Sequence, residues 1–171
     1  MTLNKRGFTL IELLVVIAII GLLSVIVVVQ VQKARVYFRD TKRMHDLNQV
    51  RLAFVMYYDD EGNWMEEGSD CGSGDNGIGW FNYQGGSYTR SISGCLKDKG
   101  ITPIEFLDPT EGKTSTPTEG FTYMKYHCDD PVRVYLLAKL EGKPQDTTAT
   151  DNTCCPTCDS NYGMNYFIRV E

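Results

Sequence analysis

The sequence has no proline before Pro103, so nothing in that stretch forbids one long uninterrupted helix. It has only two histidines, His45 and His127, far apart in the chain. Each reads as an ordinary surface histidine. There is no glycine-rich phosphate loop and no nucleophile elbow, which excludes nucleotide-driven chemistry and elbow-type hydrolysis. Basic residues are not in excess: 17 Lys and Arg against 22 Asp and Glu leave a net charge of −5, which argues against a nucleic-acid partner for the whole chain. No catalytic grouping stands out, so the chain is not expected to be an enzyme. Energy for any assembly it undergoes must come from other proteins.

What is present in force is one apolar run. Gly7 to Val29 reads GFTLIELLVVIAIIGLLSVIVVV, with Lys5 and Arg6 directly before it and one charge, Glu12, inside it. The 22 residues from Phe8 to Val29 form a helix of roughly 33 Å, enough to cross a hydrocarbon core of ~30 Å. The run exceeds a secretory signal's apolar region of about 7–15 residues, and no small-x-small cleavage site follows Val29. A plain membrane anchor explains the length but not Glu12. A carboxylate inside such a run costs on the order of 2.5–3.5 kcal/mol near a helix centre, so it marks a site by default.

The stretch Lys5-Arg6-Gly7-Phe8-Thr9-Leu10-Ile11-Glu12-Leu13-Leu14-Val15-Val16 resembles the class III leader junction of type IV pilins and type II secretion pseudopilins. The resemblance implies cleavage between Gly7 and Phe8 on the cytoplasmic face and N-methylation of Phe8 by the same membrane peptidase. It also implies that Glu12, the fifth mature residue, directs subunit assembly by pairing with a neighbour's α-amine. Physical chemistry agrees, because Glu12 faces the positive end of the helix dipole. A buried charge without its partner costs about 3–5 kcal/mol, which would enforce the axial register. The plainer alternative is a tolerated first-turn acid near the membrane interface. Members of this family often carry a proline at the twenty-second mature residue; here that residue is Val29, so no proline kink is expected.

Helical periodicity continues past the membrane segment. Tyr37, Thr41, Met44, Leu47, Val50, Phe54 and Tyr57 recur at helical spacing as one stripe, while Arg35, Arg39, Lys42, Arg43, Asp46 and Arg51 lie largely off it. A single helix from Phe8 to Tyr58 would be about 77 Å long. Asp59-Asp60-Glu61-Gly62-Asn63 should end it, with Gly62 as the C-terminal cap. One signal opposes export: Lys33, Arg35, Arg39, Lys42 and Arg43 outnumber the two basic leader residues, which on charge alone places the C-terminal domain inside. The leader motif and six cysteines override that count. The basic residues then meet anionic headgroups, acidic faces of neighbouring subunits, or simply water.

Beyond Trp64 the likeness is topological. Gly68–Gly77 is a loop, and Trp80, Phe81, Tyr83 and Tyr88 form an aromatic cluster assigned to core packing. Leu96–Leu107 holds a short apolar segment closed by an Asp108-Pro109 turn. Strands are expected over Phe121–Tyr126, Val132–Leu140 and Tyr162–Val170, the last with Tyr166, Ile168 and Val170 on one face. The six cysteines, Cys71, Cys95, Cys128, Cys154, Cys155 and Cys158, are disulfide candidates in an exported domain. Cys71 with Cys95 would close the first loop, and Cys128 with one of the last three would staple the loop 141–161. In many pilins a C-terminal disulfide delimits an exposed variable region, which this loop resembles. The final pair stays open.

Cys155-x-x-Cys158 also has a redox spacing, and Cys128, Cys154 or Cys155, and Cys158 could hold zinc. No cofactor is expected, with calcium the one candidate, since related pseudopilins bind it. Asp129, Asp130, Asp151 and Asp159 would supply oxygens, with Asp146 nearby; Asp70 and Asp75 lack calcium-loop spacing.

These observations predict an α+β fold, a long N-terminal helix on a small antiparallel sheet. The boundaries are a cleaved leader 1–7, a membrane and filament-core helix 8–30, an amphipathic continuation 31–61, and a head 62–171. The expected function is that of a structural subunit of a type IV pilus-like filament. Its partners are its own copies, minor pilins, the prepilin peptidase and N-methyltransferase, an assembly ATPase, a membrane platform protein and the membrane. A type II secretion pseudopilin is the alternative, and a membrane-anchored thiol-redox or metal protein the alternative of another class. Localisation follows: a single-pass inner-membrane protein with its C-terminal domain outside the cytosol, then an extracellular pilus or a periplasmic pseudopilus.

Overall fold

Thr9 and Gly62 bracket the first element, α1 (Leu10–Glu61), a helix of 52 residues. The computed structural model describes residues 7–65, 78–81, 90–110, 123–129, 132–143 and 162–170. α1 starts two residues later than Phe8 because Thr9 takes the capping position, and it ends at Gly62 as expected. Gly62 adopts φ +72° and its N–H donates to the Tyr58 carbonyl at 2.9 Å, the left-handed stop that glycine enters without a Cβ penalty. Asp59, Asp60 and Glu61 oppose the helix dipole there. Lys99 offsets this by pairing with Glu61.

The chain divides into two compact units, residues 1–38 and 39–171. In the first, α1 is apolar on all sides, and its most hydrophobic 18-residue window has mean hydropathy 3.1 with none of it buried. This is the one helix among the described residues long and apolar enough to cross a membrane. Such a surface needs lipid or other chains around it. Ser24, one of its few polar side chains, donates to the Ile20 carbonyl at 2.7 Å and so carries no unpaired hydroxyl into an apolar setting.

In the second unit, α1 from Arg39 onward packs on a four-stranded antiparallel sheet. The strands are β1 (Ile78–Trp80), β2 (Met124–Asp129), β3 (Val132–Ala138) and β4 (Tyr166–Arg169), in the order β1-β2-β3-β4. The three expected strands are present with shifted ends, and β1 is a further strand, too short for its alternation to show in the sequence. The short helix α2 (Ile92–Asp98) is also additional, capped by Ser91, whose hydroxyl accepts from the Gly94 N–H at 3.0 Å. Pairing of Leu136 with Lys125 and Ile168 sends Val134, Leu136, Ala138, Ile168 and Val170 to the helix side. There they join Leu47, Val50, Phe54 and Tyr57. Trp80, Met124, Leu137 and Met164 form a smaller cluster on the opposite face. Trp80 and Phe81 are buried as expected; Tyr83 and Tyr88 lie outside the described residues.

The stripe on α1 needs correction at its beginning. Leu47, Val50, Phe54 and Tyr57 are buried, but Tyr37 and Thr41 are exposed and Met44 only half-buried. Asp40, Arg43 and Asp46 take the core-facing positions instead. Arg43 is fully buried, and its guanidinium uses all five N–H donors. Nε donates to Asp108 Oδ2 at 2.7 Å and Nη2 to Asp108 Oδ1 at 3.2 Å. Nη1 donates to Asp40 at 2.8 Å and Glu141 at 2.7 Å, and Nη2 also reaches Thr110 Oγ1 at 3.0 Å. Asp40 in turn accepts from the Glu141 and Gly142 N–H groups at 2.9 and 2.8 Å. One helical turn thus pins both the turn at 108–110 and the chain leaving β3.

Electrostatics follow this geometry. Burial alone would lower the Arg43 pKa, but its hydrogen bonds to Asp108 and Glu141 outweigh it and hold the guanidinium charged. The hydrogen bond from Arg39, then those of Arg43, push Glu141 down to about 2. Tyr123 donates to Asp46 at 2.9 Å, and burial followed by the Asp46 charge drives its hydroxyl well above the ordinary range. A second buried cation, Lys125, donates to the Met65 carbonyl at 2.7 Å. That contact fixes the chain as it leaves α1, where Met65 holds a φ of 58°.

Candidate processing and assembly site

The candidate site lies at the start of α1, within the first unit. Residues 7–9 are non-helical and exposed, and α1 begins at Leu10. Thr9 and Glu12 hold each other in a capping box. The Thr9 hydroxyl accepts from the Glu12 N–H at 3.3 Å, and Glu12 Oε2 accepts from the Thr9 N–H at 2.9 Å and from its hydroxyl at 2.7 Å. Two backbone donors that a helix start leaves open are satisfied reciprocally. The first backbone bond of the helix, Leu13 N–H to the Thr9 carbonyl, is 3.3 Å.

This assigns Glu12 a partner that its charge and its place in an apolar run do not reveal. The sequence did contain the signal, since Thr9-x-x-Glu12 before an apolar run is a capping-box spacing. The box uses one carboxylate oxygen, Oε2, for both bonds. Phe8 stands just outside the cap with 82% of its surface exposed. With Ile11, Glu12, Val15 and Val16 it lines one shallow groove along the helix start. A Cβ added at Gly7 would meet nothing within 4 Å, so the chain itself places no steric demand for glycine there. Gly7, Phe8 and Thr9 therefore form an accessible, non-helical lead into a capped helix, with Glu12 in its first turn.

The other candidates are dispersed. Cys95 lies buried in α2, and Cys128 lies within β2 rather than after the first of the expected strands. Both are disulfide-bonded. Cys71, Cys154, Cys155 and Cys158 lie outside the described residues, as do Asp130, Asp146, Asp151, Asp159 and the side chain of Asp129. Among the described residues no three His, Cys, Asp or Glu side chains are grouped to hold a metal. His45 is exposed on α1, 3.4 Å from Gln49. His127 lies in β2 beside Cys128.

No curated protein and no solved structure matches the chain significantly. Residues 2–28 match the family model of the prokaryotic N-terminal methylation motif, and the chain therefore carries the class III prepilin leader of type IV pilins and pseudopilins.

Proposed function

We propose that the chain is a structural subunit of a type IV pilus-like filament, made as a prepilin and polymerised through α1. The carrying observation is the methylation motif at residues 2–28 on a helix that leaves its apolar surface uncovered. The pilin family with this motif is structural, not enzymatic. Residues 1–7 are the leader, 8–30 the membrane and filament-core helix, 31–61 its amphipathic continuation, and 62–171 the head. A prepilin peptidase cleaves between Gly7 and Phe8 and methylates the new Phe8 amine. An exposed, non-helical segment suits an enzyme that must bind extended backbone, and open space at Gly7 leaves the glycine requirement to that enzyme.

In the assembled filament, Glu12 receives a neighbour's α-amine. Oε2 holds the helix cap, so the charge stays fixed in direction while the carboxylate takes its second partner. An assembly ATPase and a membrane platform extract the subunit, and minor pilins join the same polymer. The cysteines form disulfides in an oxidising compartment: Cys71 with Cys95, and Cys128 with one of Cys154, Cys155 and Cys158. The bonded state of Cys95 and Cys128 supports this pattern.

Intact-mass measurement of the protein from membranes and from a sheared-surface fraction tests the reading. The expected species is Phe8–Glu171 plus one methyl group, less the hydrogens lost to disulfides, recovered in the sheared fraction. The same mass confined to the envelope, with exoprotein release lost on deletion, identifies a type II secretion pseudopilin. An intact Met1 chain with free thiols overturns both and revives an anchored thiol or metal protein.

A further inference from the structure

Five basic residues follow the apolar segment closely, and the structure separates them. Arg39 pairs with Glu141, Lys42 with Asp46 at 2.6 Å, and Arg43 with Asp40, Asp108 and Glu141. These three belong to the internal wiring of the second unit. Lys33 and Arg35 do not: both are exposed, and neither has an ion pair among the described residues. Beside them Tyr37 and Phe38 leave 68% and 70% of their surfaces open, their rings meeting edge to face at 6.3 Å. Two large exposed rings and two uncommitted cations within six residues are an unusual use of a helix.

Their placement around the axis selects the partner. At about 100° per residue, and taking Lys33 as zero, Tyr37 points near 40°, Phe38 near 140° and Arg35 near 200°. The four spread over more than half the circumference. A single globular partner covers one face of a helix, whereas a layer of lipid headgroups surrounds the helix of a subunit still stored in the membrane. Height along the axis agrees. Taking Glu12 as the inner edge of the hydrocarbon core, because a carboxylate is costly further inside, Lys33 to Phe38 lie at ~32–39 Å along the axis. That is just past a hydrocarbon core of ~30 Å, in the outer headgroup layer. Tyrosine and other aromatic rings favour that layer, and cations there meet phosphates.

We propose that Lys33, Arg35, Tyr37 and Phe38 form a collar that binds anionic phospholipid headgroups of the outer leaflet and fixes the depth of the subunit stored in the membrane. The proposal rests on the membrane-anchor reading of residues 8–30. Arg35 presents a planar fork suited to a phosphate, Lys33 a point charge. Together the two cations favour anionic over neutral lipid about thirtyfold. Extraction into a filament must break these contacts, so the collar sets how firmly the reservoir is held.

The test uses the full processed chain, isotope-labelled, in vesicles of phosphatidylethanolamine and phosphatidylglycerol. Carbon–phosphorus dipolar dephasing in solid-state NMR reads whether the Arg35 guanidinium lies against lipid phosphate. Strong dephasing at Arg35, unchanged as protein is diluted, is the expected result. Lys33→Gln/Arg35→Gln should lose the thirtyfold preference for phosphatidylglycerol over phosphatidylcholine in nanodisc exchange, with the head still folded. Absent dephasing while residues 14–25 stay shielded from an aqueous relaxation agent overturns the collar and leaves the anchor standing. Unshielded residues 14–25 overturn the anchor reading and the collar with it. Contact of Arg35 with the exposed Asp59 or Asp60 of a second copy, in place of phosphate, makes the partner another subunit and also overturns the proposal.

Discussion

Removing the Arg43 guanidinium should destabilise the head severely, and the structure locates where the cost falls. In Arg43→Ala, Asp40 keeps the Glu141 and Gly142 N–H donors, and Glu141 keeps Arg39. Asp108 keeps Thr110 but loses both guanidinium bonds while its side chain is 0% exposed. A buried carboxylate stripped of its cation costs about 3–5 kcal/mol. Against a typical domain stability of about 5–15 kcal/mol that is a large fraction, and it corresponds to a fall in melting temperature of roughly 10–25 °C. Near-ultraviolet circular dichroism of the detergent-solubilised chain during thermal and urea unfolding reads it directly.

The mechanism makes a sharper claim than mere destabilisation. Arg43→Met combined with Asp108→Leu removes the stranded charge along with the cation, so the double variant should be more stable than Arg43→Ala. Replacing a buried ion pair by apolar side chains is often neutral or better, whereas breaking it is not. Arg43→Lys keeps the charge but not the fork that reaches three carboxylates, and should fall between parent and Arg43→Ala. An Arg43→Ala protein within about 1 kcal/mol of the parent, or a double variant less stable than Arg43→Ala, would refute the argument.

Other consequences are as direct. Glu12→Ala should leave cleavage after Gly7 intact, read by mass, while filament assembly is lost or slowed; normal filament yield would sink the assembly role. Gly7→Val should trap the precursor in the membrane, and mature filaments from that variant would refute the processing claim. Thr9→Ala should cost the helix start about 1 kcal/mol, seen as faster amide exchange at Ile11 to Leu13, while Thr9→Ser stays close to the parent. Acid should weaken the head through Glu141. Its folded pKa is depressed from 4.5 to about 2, so its stabilisation is complete above the unfolded value and drains away as pH falls from about 4.5 to 2. The loss is at most about 3 kcal/mol, and Glu141→Gln should flatten that part of the stability–pH curve.

The sequence made the two ends of the argument legible and hid the middle. An apolar run with one carboxylate, a glycine at each boundary and alternating strands are local patterns, and local patterns survive in one dimension. The Arg43 cluster is not local: its partners Asp108 and Glu141 stand 65 and 98 residues away. A helical wheel therefore reads Arg43 and Asp46 as solvent-facing, because burial of a cation becomes favourable only once distant carboxylates arrive. The same rule misassigns Tyr37, whose ring fits the apolar period yet is exposed. α2 and β1 were too short to show a period, and glycines interrupt both. The error in the stripe is informative in itself. Periodicity reports which side chains prefer apolar surroundings, while tertiary pairing decides which charged ones are admitted. At Arg39 and Arg43 distant carboxylates supply that pairing, whereas Lys42 stays exposed and pairs locally with Asp46. Lys33 and Arg35 have no ion pair among the described residues, so part of the basic cluster that looked like a topology signal is a folding device.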